Sequence, residues 1–313
     1  MQCRRTNTTN GSQGIVVKKA FTLIEIVFVL IVLGIIASIG SEVLVKVYEH
    51  RMLAQATLDA SYKTQAALET IAKRLSYRIP DSEVVRKTTD FNDVLPLTSI
   101  NPTYDILEWI GQAYEAYRGR YNSTQYVPGY SGFVDLNSTS TTKAKIDTPG
   151  SRLDYAADII YTLSGIDLNS SNNGIGLIFR GGVQNGNPLR AFNWDYQGTA
   201  EEIYTVYREG QTILHFDDTS SEKDIVEQYY LSYSAYAIVP EQNSEGDYNL
   251  SLYYDYKPWL GEKYNDGEKV LLVSHISRFK YQKIDQAIEL ALCAIARVTS
   301  DYNVTFCSKK VVF

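Results

Sequence analysis

One carboxylate sits where carboxylates are costly. Residues 21–39 read FTLIEIVFVLIVLGIIASI, and only Thr22, Glu25 and Ser38 among them are polar. An ionised acid in hydrocarbon costs roughly 2.5–3.5 kcal/mol on insertion scales, so it generally has a partner and a function. Lys18 and Lys19 stand directly before the run, with the small Ala20 between them and Phe21. A second set of reactive groups is Cys3, Cys293 and Cys307. Cys3 lies in the basic N-terminal stretch, and the other two, close to the C-terminus, read as one disulfide in an exported chain. If residues 287–298 and 304–312 are strands paired about residue 300, Cys293 falls directly opposite Cys307, a separation that a disulfide tolerates. A third set is Asn-x-Ser/Thr at Asn122, Asn137, Asn169, Asn249 and Asn303; all but Asn122 have Asp two residues earlier. Asp-x-Asn-x-Ser/Thr resembles the acceptor of bacterial N-linked oligosaccharyltransferases, while Asp and Asn also cluster simply because both favour turns.

Other chemistry is sparse. His50, His215 and His275 have no metal-ligand spacing. No nucleophile elbow, Walker loop or paired-cysteine redox motif is present. Asp167, Asn169, Ser171 and Gly174 loosely follow a calcium loop without its closing glutamate, so a turn is the plainer explanation. The expectation is a non-enzymatic chain with no catalytic residue, no metal and no cofactor. The first twenty residues hold Arg4, Arg5, Lys18, Lys19 and no acid, which leaves 26 basic against 36 acidic residues thereafter. So acidic a body argues against a nucleic-acid partner.

The elements that must position these groups follow from periodicity. Residues 21–39 are long enough to cross a bilayer as a helix, and the preceding lysines keep the leader cytoplasmic. A secretory signal cut near Ser38-Ile39-Gly40 or a plain anchor would explain the length, but neither explains Glu25. No Gly or Pro occurs from Ser41 to Ile79, and Leu68, Ile71, Leu75 and Ile79 recur at helical spacing before Pro80. One helix over 21–79 is expected, apolar in its first half and amphipathic in its second. Beyond it, 105–118 reads as a short helix with Trp109 and Ile110 inward. Strands are expected at 158–163, 176–180, 202–208, 212–216, 229–239, 248–256, 269–274, 277–282, 287–298 and 304–312. Twenty-five tyrosines against two methionines suit half-buried strands or a tyrosine-lined binding face.

Lys-Lys-Ala followed by Phe-Thr-Leu-Ile-Glu and the apolar run resembles the processing site of type IV prepilins and pseudopilins. The match covers 18–41, with Ala20 where that family usually has Gly. The resemblance implies cleavage between Ala20 and Phe21 by a prepilin peptidase and N-methylation of Phe21. It also implies pairing of Glu25 with the new amino terminus of a neighbouring subunit. The implied fold is α+β and pilin-like, a long N-terminal helix packed on an antiparallel β-sheet head. Its parts are a removed leader (1–20), the helix (21–79) and an extracytoplasmic head (80–313) with a loop-rich insertion at about 86–150. The implied role is a large minor pilin or pseudopilin of a type IV pilus or type II secretion system. It would be single-pass in the inner membrane, with its head in the periplasm or on an extracellular filament. Its partners would be the peptidase, other pilin subunits and the inner-membrane assembly platform. The alternative is an adhesin-like binding head borne on such a filament.

Overall fold

The computed structural model describes residues 22–97, 103–181, 187–220, 223–298 and 303–313. It opens with α1 (Leu23–Leu75), which passes through the boundary between two compact units, Met1–Ala54 and Gln55–Phe313. In the first unit every side chain from Thr22 to Arg51 is exposed, among them Leu23, Phe28, Leu33 and Ile36. Water disfavours so much bare aliphatic surface, whereas lipid accepts it, and this part of α1 is long and apolar enough to cross a membrane.

In the second unit α1 changes character. Ala60, Thr64, Ala67, Leu68, Ile71, Ala72 and Leu75 are buried, one face of a helix at three- and four-residue spacing. Ala67, Leu68, Ile71, Ala72 and Leu75 of this face pack into a core with Leu107, Trp109, Tyr236, Ile238, Leu250, Leu290 and Leu292 from the sheet. The helix stops four residues short of the expected end because the chain is captured by the sheet. Ile79 donates to the Ile110 carbonyl and Gln112 donates to that of Tyr77, each at 2.8 Å.

The strands are β1 (Val84–Arg86), β2 (Val94–Pro96), β3 (Ile106–Gly111), β4 (Arg120–Tyr121), β5 (Tyr126–Val127), β6 (Lys145–Asp147), β7 (Gly176–Phe179), β8 (Tyr204–Glu209), β9 (Ile213–Phe216), β10 (Tyr229–Ser232), β11 (Ser234–Gln242), β12 (Tyr248–Tyr256), β13 (Glu268–Ile284), β14 (Ala287–Arg297) and β15 (Asn303–Val312). Among the described residues the large sheet has the order β15-β14-β13-β12-β11-β3-β1-β2, with every pair antiparallel. A smaller sheet, β10-β7-β8-β9-β6, is covered by α2 (Tyr114–Arg118) and α3 (Leu153–Ser164) around their own core. The face of the large sheet away from α1 is closed by Phe192, Trp194 and Trp259, with α4 (Pro188–Ala191) beside them. The α+β class with a long helix and an antiparallel sheet is as expected.

Several local expectations are corrected. Residues 105–118 do not form one helix: β3 is a strand buried on both faces, and only Tyr114–Arg118 is helical. Trp109 and Ile110 do face the core. Within the stretch 86–150, β3 lies inside the large sheet. Residues 158–163 are helical, because Leu153, Ala156, Ala157 and Ile160 make one buried stripe that Gly165, at φ 72°, caps in the left-handed region. Finally, 229–239 is two strands. The chain leaves the small sheet at Ser232 and joins the large one at Ser234. The Ser234 hydroxyl accepts from the Asp255 N–H at 2.8 Å and pins that crossing. Conversely, 269–274 and 277–282 are one strand interrupted by a bulge at His275, where φ is +57°.

The C-terminal hairpin has the expected register. Cys293 lies opposite Cys307, the Cα atoms are 4.0 Å apart and the sulfurs are at bonding distance; the turn at 299–302 is outside the described residues. Closing this loop of 14 residues is worth about 3 kcal/mol in the chain-entropy model. The non-reduced protein should weigh two hydrogens less than the reduced chain, and Cys293 and Cys307 should resist alkylation. Two free thiols would contradict the pairing.

Candidate functional site

Glu25 lies in the first turn of α1, where its N–H donates to the Thr22 carbonyl at 3.0 Å and opens the helix. A carboxylate there is favoured by the unsatisfied N–H groups of the helix start. From Thr22 to Ser41 it is the one ionisable side chain. The next charges are Glu42 and Lys46, which bond to each other at 2.9 Å. Glu25 is thus an isolated anion on an exposed aliphatic rod. Lys18, Lys19, Ala20 and Phe21, the groups expected to act with it, lie outside the described residues.

The asparagine motifs separate into two kinds. The carboxylate of Asp135 accepts the Asn137 N–H, and that of Asp167 accepts the Asn169 N–H, each at 2.9 Å. Turn chemistry therefore accounts for two of the Asp–Asn pairs. Both asparagines are exposed, but the Asn169 amide is held by Asp167 and by Arg208, whose Nε is 2.6 Å from Oδ1. Asn249 is half-buried within β12, and Asn303 begins β15 opposite Arg297. In the loop compared with a calcium site, Asp167 accepts from Asn169 and Ser170, and Asn173 bonds to Ser170, Val206 and Ile175. Its oxygens are engaged by the chain itself. These hydrogen bonds, first that from the Asn169 N–H, hold the Asp167 carboxyl below its ordinary range.

Pairing of β12 with β13 brings together a cluster that spacing alone did not reveal, Glu245, Asp247 and His275. Arg297 from β14 sits on both carboxylates, with Nη2 2.8 Å from Asp247, so a guanidinium already occupies the side of the group where a cation would bind. Burial alone would raise the Asp247 pKa, but Asn243, Arg297 and His275 hold it below the usual range. His215 bonds Glu209 at 2.7 Å, and His50 is exposed on α1.

The most buried charge pair joins Arg86 on β1 to Glu108 on β3, both side chains 0% exposed, with Nε to Oε1 2.5 Å. Arg86 also donates to the Phe91 and Trp194 carbonyls, and the Tyr256 hydroxyl donates to Glu108 at 2.9 Å. Burial, then the Glu108 charge, pushes the Tyr256 hydroxyl far above its ordinary pKa, so it stays a donor. Among the described residues this network is held together by the chain's own hydrogen bonds, and none of its buried side-chain polar atoms is left without a partner.

Fold and helix together define an α+β head that follows a helix long and apolar enough to cross a membrane. Comparison with protein-family models, with curated proteins and with solved structures returned no match.

Proposed function

We propose that this chain is a non-enzymatic filament subunit of the prepilin class, a large minor pilin or pseudopilin anchored through α1 in the inner membrane. The observation that carries the reading is a helix start with bare aliphatic surface and a single carboxylate, Glu25, one turn from the expected cut. Cleavage between Ala20 and Phe21 creates an ammonium group near the membrane, and Glu25 of a neighbouring copy is the anion to meet it. Exposed aliphatic faces then pack helix against helix, while the amphipathic second part of α1 holds the sheet. The prepilin peptidase, other subunits and the inner-membrane assembly platform are the partners. On such an exported head, Asn137 is an exposed candidate glycan acceptor, whereas the Asn169 amide is already held by Asp167 and Arg208.

N-terminal sequencing of the mature protein tests this directly. The expected first residue is Phe21, N-methylated, and Ala20→Leu should abolish the cut by overfilling the pocket for the small residue. An intact Met1 or a start near Ser41 would overturn the reading.

A further inference from the structure

The head carries a cleft that none of this explains. It has a volume of about 840 Å³ and lies between the last turns of α1, α2, the β4–β5 hairpin and α3. Its shape depends on Gly119, which turns the chain from α2 into β4 at φ 72°; a Cβ there would collide with the Val127 carbonyl. Three tyrosines line it. Tyr77 and Tyr114 stack with centroids 3.7 Å apart, and Tyr126 is 53% exposed, with the Arg118 guanidinium 4.7 Å from its ring centre. Two ion pairs flank these rings, Arg74–Glu115 at 3.2 Å and Arg120–Asp158 at 3.0 Å.

The charge of the cleft runs against that of the chain. Its lining has four basic side chains, Lys73, Arg74, Arg118 and Arg120, against Glu115 and Asp158, whereas the whole chain is at −6. Two of the bases are balanced by those ion pairs. Lys73 and Arg118 are in no ion pair among the described residues, so a ligand that completes the site brings negative charge.

We propose that this cleft binds an acidic polysaccharide, a chain of sugar rings bearing carboxylates. Flat tyrosine faces suit the C–H faces of pyranose rings. The Arg–carboxylate pairs hold one another in place while presenting donors and acceptors side by side, which is what neighbouring sugar hydroxyls require. Lys73 and Arg118 meet the ligand's carboxylates. An acidic peptide is less well served: β4 and β5 are two residues each, too short to accept an added strand. The site does not depend on assembly into a filament.

The test uses the full chain in detergent and three probes: oligogalacturonate, a neutral dextran oligomer of equal length, and polyglutamate. Oligogalacturonate should bind at least about tenfold more tightly than either of the others, and more weakly as salt rises. Lys73→Ala with Arg118→Ala should weaken it by about tenfold or more, and Tyr126→Ala should do the same. Thermal unfolding of each variant checks that the head remains folded, and Arg118→Lys, which keeps the charge, should retain part of the affinity. Equal binding of polyglutamate would mean an acidic-peptide surface and overturn the proposal. So would absence of oligogalacturonate binding, or binding indifferent to folded variants.

Discussion

If the chain is the prepilin-class filament subunit proposed above, Glu25→Leu leaves membrane insertion intact and removes the chain from filaments. Insertion should improve, because roughly 2.5–3.5 kcal/mol of charge burial disappears. Assembly should fail, because the amino terminus of the neighbouring subunit then enters an apolar helix bundle unpaired. Stranding one partner of a buried ion pair costs about 3–5 kcal/mol, more than a hundredfold in association at each such contact. The measurement is the ratio of variant in sheared filaments to variant in the membrane fraction, against wild type. Glu25→Gln keeps the shape without the charge and should fall with Glu25→Leu. Normal incorporation of Glu25→Leu would show that the carboxylate is not the docking group.

A second large effect is expected inside the head. Arg86→Met leaves the Glu108 carboxylate buried with only the Tyr256 hydroxyl beside it. The loss should be about 3–5 kcal/mol, which for a domain of this size lowers the melting temperature by roughly 6–20 °C. Adding Glu108→Leu removes the stranded charge and should recover part of that loss. Recovery should be incomplete, because the Phe91 and Trp194 carbonyls and the Tyr256 hydroxyl still lack their partners. Thermal unfolding of the two variants and the wild type in the same detergent gives the comparison. A wild-type melting temperature for Arg86→Met would mean that the pair contributes nothing, and a double variant no better than the single would place the loss in packing.

What local pattern could reveal of this fold depended on how each segment is buried. β14 alternates Ile288, Leu290, Leu292 inward with partly exposed neighbours, so both its strand character and the Cys293–Cys307 register were readable. The apolar start of α1 and the isolation of Glu25 were readable for the same reason, since solvent or lipid faces them uniformly. β3 was not: all of Ile106–Gly111 is buried, which erases the alternation. The charge of Glu108 argues against a buried strand until Arg86, 22 residues earlier, is seen beside it. α3 was missed because Ile159 and Ile160 suggest a strand locally, while its helical stripe begins at Leu153 and its stop signal is Gly165. The cleft was out of reach as well, since its lining comes from four separate segments between Thr70 and Leu163.

The place of β3 in the large sheet has a consequence for the order in which the head is built. One edge of β3 pairs with β1, which precedes it closely, but the other pairs with β11, and Glu108 meets Tyr256 across 148 residues. On the ribosome, β1 and β3 appear long before the strand that completes them. β11 to β15 form a run in which each strand pairs with the next in sequence, and such local pairings are fast. The β1–β3 pairing and the β11–β15 run are thus both local, whereas the pairing that joins them sets Gly111 against Ser234. Closing β3 against β11, which brings Tyr256 to the Arg86–Glu108 pair, is the step that carries the long loop-closure cost.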